Sequence, residues 1–267
     1  SPCVCFNSKI RFNFKLNMNR YISRVNYYFK KYLVSKFKSN FKINYKGKGL
    51  INFIDIGSVG GLPEPWFSHA NKVKFLVNFE PNDAIKEGLN YITFNTAVWE
   101  REERKPFYIY KGFRGTGSSL FEQNYEYVRQ NYEELKKRGP KHLANTWFER
   151  SKTIKTLEID CKTIDSVVLK KFPKTNFDFI KIDAQGAELN ILKGSEKLLE
   201  NCIGLHLELF TIPMYKEIAL LDEVELYLSK LGFKLVKKFL AHGSFNSQND
   251  CFFLKTDKKE SEIFSLI

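Results

Sequence analysis

The sequence predicts an α/β chain built around a mostly parallel, doubly wound sheet. Three observations carry that expectation. Short apolar runs rich in Ile, Val and Phe alternate with stretches of helical spacing, the pattern of repeated βα units. Several of those runs end on a carboxylate or a glycine: "LINFIDIG" at 50–57, "VKFLVNFEP" at 73–81 and "FDFIKIDAQG" at 177–186. The 267 residues, 43% of them apolar, suffice for one large domain plus an accessory segment.

The accessory segment comes first. Residues 1–54 hold twelve Lys or Arg and no acid, whereas the other 213 residues carry 31 basic and 30 acidic groups. The net charge of +13 therefore belongs to an N-terminal arm, and such asymmetry points to an anionic partner or surface. Met18, Tyr21, Ile22, Val25, Tyr28, Phe29, Tyr32, Leu33 and Phe37 share one helical face. A helix docked on the main domain and contact of residues 9–48 with an anionic membrane surface are both open readings. Nucleic acid is the least expected partner, because no nucleic-acid module accompanies the charge. The expected division is 1–48 for a basic helical segment and 49–267 for the main domain.

In the main domain, strands are expected at 50–56, 73–79, 91–94, 177–183 and 203–210. A helix after Asp183 keeps one apolar stripe through Leu189, Leu192, Leu198 and Leu199. Another helix runs over 222–232 and stops at Gly232. "FKLVKKF" and "DCFFLK" read as a closing pair of strands. An insertion at about 100–160 carries "PFYIYK", the loop "GFRGTGSSL" and a polar helical stretch near 122–150. Insertions of this length are often binding loops. Arg114, Ser118 and Ser119 in that loop suit a polar or acidic sugar.

Five cysteines without framework spacing argue against a disulfide scaffold, and Cys161, Cys202 and Cys251 lie in apolar runs as small hydrophobes. Cys3 and Cys5 alone are too few for zinc, and no other tight metal-ligand spacing is seen, so no metal is expected. No run of about 18 apolar residues and no signal-peptide pattern is visible. A cytoplasmic location is expected, peripheral at the inner face of a membrane if the arm binds there.

In an open parallel sheet, ligands bind beyond the carboxyl ends of the strands. Asp55, Glu80 and Asp183 stand at three such ends. Each could be a helix cap, but three in equivalent places point to a site. The loop Gly57-Ser58-Val59-Gly60-Gly61 lacks the G-x-G-x-x-G in which a middle glycine admits pyrophosphate. That counts against a nicotinamide-dependent oxidoreductase. Glu80 is placed to accept both ribose hydroxyls of a nucleoside cofactor without pyrophosphate, as in S-adenosylmethionine. His206 and Glu208 alternate onto one face of the fifth strand. They either flank an acceptor pocket or form a structural pair. Glu188 either reaches the site or favours the start of its own helix.

The pieces "FIDIGSVGG", "FEPND", "NTAVWE", "GTGSSL", "TIDSV", "DFIKIDAQGAELNILKG" and "LHLELF" occur in order over about 50–255. Together they resemble the FkbM family of S-adenosylmethionine-dependent methyltransferases. Ser58 and Val59 depart from the family's common "D-x-G-A-N-x-G". The resemblance implies a class I methyltransferase (Rossmann-like) fold, a seven-stranded sheet with an antiparallel last strand. It also implies methyl transfer to an oxygen, commonly on a sugar, glycan or related natural product. The implied cofactor contacts are Asp55, Gly57, Ser58, Gly60, Glu80, Pro81, Asn82 and Asp183, with Thr96, Ala97 and Val98 near the adenine. Asp183, His206 and Glu208 are the catalytic candidates. Arg114, Ser118, Ser119 and Glu188 are the acceptor candidates. A binding module with an inactive methyltransferase-like pocket is the non-enzymatic alternative.

Overall fold

The computed structural model describes residues 51–57, 66, 69–81 and 86–255. The expected N-terminal helix, and Ser58, Gly60 and Asn82, lie outside the described residues. No described helix is long and apolar enough to cross a membrane.

Eleven described strands run in chain order: β1 Ile51–Ile56, β2 Val73–Phe79, β3 Lys86–Gly88, β4 Tyr91–Phe94, β5 Ala97–Val98, β6 Glu103–Tyr110, β7 Thr153–Lys162, β8 Phe179–Ile182, β9 Gly204–Phe210, β10 Phe233–Lys238 and β11 Gln248–Lys255. Eight of them form one sheet in the order β10-β11-β9-β8-β1-β2-β4-β3. Strand β1 pairs in parallel with β2 and β8, and the parallel run continues to β4 on one side and β9 on the other. The chain therefore reverses direction across the sheet between β1 and β8, the kind of switch that opens a ligand crevice. Strand β11 is inserted antiparallel between β9 and β10.

The sheet has eight strands rather than the expected seven, and it is mixed. The extra strand is β3, three residues antiparallel to β4. "KEG" has no alternation and little apolar content, so it left no strand signal of its own. The central strands are buried on both faces, as covered parallel strands must be. That is why "LINFIDI" and "FDFIKID" read as continuous apolar runs. Cys161, Cys202 and Cys251 are free and buried, as expected of small hydrophobes.

The expected helix after Asp183 is two helices, Glu188–Lys193 and Glu196–Asn201. The break falls at Gly194, which lies against the carbonyl of Trp99. The insertion is more ordered than its polar composition suggested. Strands β5, β7 and β6 form a second sheet, and four short helices cover Tyr125–Gln130, Tyr132–Leu135, Lys141–Asn145 and Trp147–Arg150. Tyr110, Trp147, Phe210, Tyr215 and Phe245 make a separate apolar cluster that ties this insertion to the segment after β9.

Candidate active site at the carboxyl edge of the sheet

Four strand ends, of β8, β1, β2 and β4, are stitched together at one level. The Asp183 amide donates to Ile56 O, Gly57 to Phe79 O and Glu80 to Phe94 O, each at 3.1 Å. Gly57 has φ +76°, and a Cβ there would stand 1.9 Å from the Asp183 carbonyl oxygen. Only glycine lets the tips of β1 and β8 come this close.

One residue back along the strands, register aligns Asn78, Asp55, Lys181 and His206 in a row. All four are buried. Lys181 Nζ lies 3.3 Å from Asp55 Oδ1 and 3.6 Å from Asp183 Oδ2. Burial works against the Lys181 charge, but the two carboxylates outweigh it and hold the ammonium above its ordinary range. Asp55 is thus an internal counter-ion within the sheet, while Asp183 is one-third exposed at its edge.

Gln185 joins the two candidate carboxylates. Its amide donates to Asp183 Oδ1 at 3.0 Å and to Glu208 Oε2 at 2.8 Å. The Tyr215 hydroxyl lies 3.2 Å from its Oε1. Gln185 adopts φ +52° and Gly186 φ +103°. A left-handed non-glycine residue costs free energy, and such strain collects at functional sites. Burial, then the facing Asp183 carboxylate, pushes Glu208 well above the usual carboxylate range.

Glu188 is not an acceptor contact. It is buried, and its carboxylate accepts the Ala184 amide at 2.9 Å and the Gly186 amide at 3.0 Å. It closes the turn that carries Gln185. His206 is likewise committed. Trp66 Nε1 donates to its Nδ1 at 3.0 Å, and its Nε2 lies 3.0 Å from Asp250 Oδ1. An indole can only donate, so the proton sits on Nε2 and points at Asp250. Both nitrogens are occupied and the ring is 3% exposed, the arrangement of a structural pairing.

Beside Gln185 lies a cavity of about 220 Å³. Tyr110, Trp147, Phe210 and Tyr215 give it aromatic walls, and Gln123, Arg150, Ser244 and Gln248 give it polar ones. The expected "GFRGTGSSL" loop reaches this cavity through Thr116 and Gly117. Its named hydroxyls have other work. Ser118 Oγ bonds the Gly115 carbonyl, and Ser119 Oγ bonds the Gln185 carbonyl. The backbone of Arg114 lies in the short turn Phe113–Gly115. The cation that lines the cavity is Arg150, held by Leu143 O and Ser244 Oγ.

Near the expected adenine position, Thr96 is half-buried and Pro81 O accepts from Asn95. Ala97 and Val98 form β5 and belong to the core, so their side chains are packing groups rather than ligand contacts. Glu80 is buried at the tip of β2.

Sequence reasoning missed Gln185, Trp66, His242 and Asp250. His242 Nε2 lies 3.2 Å from Asp250 Oδ2 and 3.6 Å from Glu208 Oε1. "No tight ligand spacing" held along the chain but not in space, because β9 and β11 pair in register at Glu208 and Asp250.

A family model, the methyltransferase FkbM domain, matches residues 56–235. That is more than half of the chain, and the chain belongs to this family, one of methyltransferases rather than of nicotinamide-dependent oxidoreductases. The methyltransferase FkbM from Methylobacillus flagellatus KT is a similar solved structure, 13% identical with a TM-score of 0.41. That match covers 76% of this chain and 43% of the other, so this chain spans less than half of that protein's length. Sp1610 from Streptococcus pneumoniae, a proposed tRNA (m1A22) methyltransferase, is 13% identical with a TM-score of 0.35, over 86% of this chain and 73% of the other. No curated protein matches.

Proposed function

We propose that the chain is an S-adenosylmethionine-dependent O-methyltransferase whose acceptor is a hydroxyl of a sugar, surface glycan or related natural product. The observation that carries this reading is the Asp183–Gln185–Glu208 bridge. Gln185, the middle of that bridge, lines a cavity whose aromatic walls and amide, hydroxyl and guanidinium groups suit a polyhydroxylated ligand, and it hydrogen-bonds the two carboxylates behind it.

The residues fit the cofactor. Gly57 leaves no side chain between the tips of β1 and β8, and Glu80 ends β2 where a ribose diol would be accepted. When bound, S-adenosylmethionine supplies an activated methyl group. The chain's own residues then divide the remaining work. The cavity orients the acceptor oxygen and excludes water. Asp183 accepts the proton of the acceptor hydroxyl. Lys181 Nζ faces Asp183 Oδ2 at 3.6 Å and helps to hold it in place. Glu208 accepts from the same Gln185 amide that donates to Asp183, and so helps to fix the bridge.

The test pairs two measurements on Asp183→Asn. Calorimetry with S-adenosylhomocysteine should show little change in affinity. Single-turnover methylation, with an acceptor found by mass shift in a glycan and glycolipid screen, should fall roughly 10²–10⁴-fold. If binding collapses and turnover recovers at saturating cofactor, Asp183 holds the cofactor amine instead. Cofactor binding with no methylation of any acceptor would favour the inactive binding module, which the Ser58–Val59 departure brings into view. Under the same proposal, the basic arm at 9–48 binds an anionic surface, and the protein works in the cytoplasm at a membrane's inner face.

A further inference from the structure

We infer that Glu208, His242 and Asp250 form a divalent-cation site beside the carboxylate bridge. One donor atom from each lies within 4.8 Å of the others. The two separations given above, 3.2 and 3.6 Å, match the spacing between neighbouring ligands around one ion. With bonds of about 2.1 Å, right-angle neighbours lie roughly 3.0 Å apart and tetrahedral ones about 3.4 Å.

The residues behind the ligands point the same way. Gln185 and Gln248 both donate to Oε2 of Glu208, leaving Oε1 to face His242. His206, itself fixed by Trp66, engages Oδ1 of Asp250 and leaves Oδ2 to face the same imidazole. Each carboxylate is thus gripped on one oxygen and presents the other, the arrangement that orients metal ligands from behind. At the point of convergence, Nε2 of His242 is sealed from solvent and makes no well-aimed hydrogen bond. A divalent cation set between this nitrogen and the two carboxylate oxygens would be held by all three. One imidazole with two carboxylates suits a small divalent ion such as Mn²⁺ or Zn²⁺. On the reading above, an ion here would lower the pKa of a bound acceptor hydroxyl. That role rests on the proposed function, whereas the binding itself does not.

The experiment reads binding alone. The full chain is stripped with chelator and titrated with Mn²⁺, which thiolates at Cys3 and Cys5 bind poorly. Electron paramagnetic resonance then follows the loss of the free-ion signal. One equivalent per chain is expected. His242→Ala, at a half-exposed position, and Glu208→Gln should each abolish stoichiometric uptake. Gln248→Ala, which touches no ion, should weaken it about 10-fold or more. His142→Ala is the control and should bind as the parent does. Uptake well below one equivalent by the parent chain overturns the proposal. So does unchanged affinity in a folded His242→Ala chain, with folding checked by circular dichroism.

Discussion

Glu188 shows how a single side chain can be mistaken for a ligand. Its place after "KIDAQG" was compatible with reaching the site or with serving its own helix, and only the fold separates the two. The carboxylate turns inward onto the Ala184 and Gly186 amides. Burial pushes it up to about 8, against the amide bonds that lower it and with the push of Asp183. Its unfolded value is near 4.5. Between those values the folded chain keeps a proton that the unfolded chain has lost, so stability falls as pH rises through that window. The slope reaches at most about 1.4 kcal/mol per pH unit. Glu188→Gln removes the titration, so its urea-unfolding free energy should be flatter than the parent's between about pH 5 and 8. Parallel pH profiles for the two chains would refute the assignment. Asp183 was legible because a carboxylate ending an apolar run is conspicuous. Gln185 was not, because its role depends on a left-handed backbone that no local pattern announces.

At the scale of the element, strands β9 and β11 decide what His206 does. Alternation along 203–210 placed His206 and Glu208 on one face, and that is where the register puts them. Alternation says nothing of what covers a face. Trp66 covers this one, with ring centroids 4.5 Å from Phe53 and 5.1 Å from Phe179, and Phe252 stacks 4.3 Å from the imidazole. Trp66 lies between β1 and β2 in sequence, 140 residues from His206 in the chain, so nearby sequence could not reveal the pairing. Trp66→Phe keeps most of the ring packing but removes the donor to His206 Nδ1. A buried acceptor left unpaired costs about 1–3 kcal/mol. The urea midpoint should fall at constant slope, while affinity for S-adenosylhomocysteine stays close to the parent's. An unchanged midpoint would mean that the indole–imidazole bond contributes nothing. The same limit explains the insertion. Neither of its long strands was read as one: "PFYIYK" stood only as part of the insertion, and "TIKTLEIDCK" pairs with it in an exposed sheet whose residues are largely polar.

At the scale of the molecule, charge and chemistry are separated along the chain. All twelve cations of residues 1–54 precede Asp55, and the family match begins at Ile56. The described residues belong to the unit Tyr45–Ile267. The carboxylate bridge, its aromatic cavity and the stitched strand tips all lie within that unit. If the arm serves only to hold the enzyme at an anionic surface, removing it should leave the site intact. A chain beginning at Lys46 should keep S-adenosylhomocysteine affinity within about 2-fold of the full chain. It should lose binding to phosphatidylserine vesicles, for which each cation near the surface contributes about 1 kcal/mol. Binding by the full chain should weaken steeply between low and physiological salt, since exposed charges are screened beyond about 8–10 Å there. Sedimentation with vesicles at two salt concentrations, run beside calorimetry, separates the outcomes. Equal vesicle binding with and without the arm would place the anionic-surface contact on the catalytic unit. Loss of cofactor affinity in a folded, shortened chain would instead make the arm part of the site.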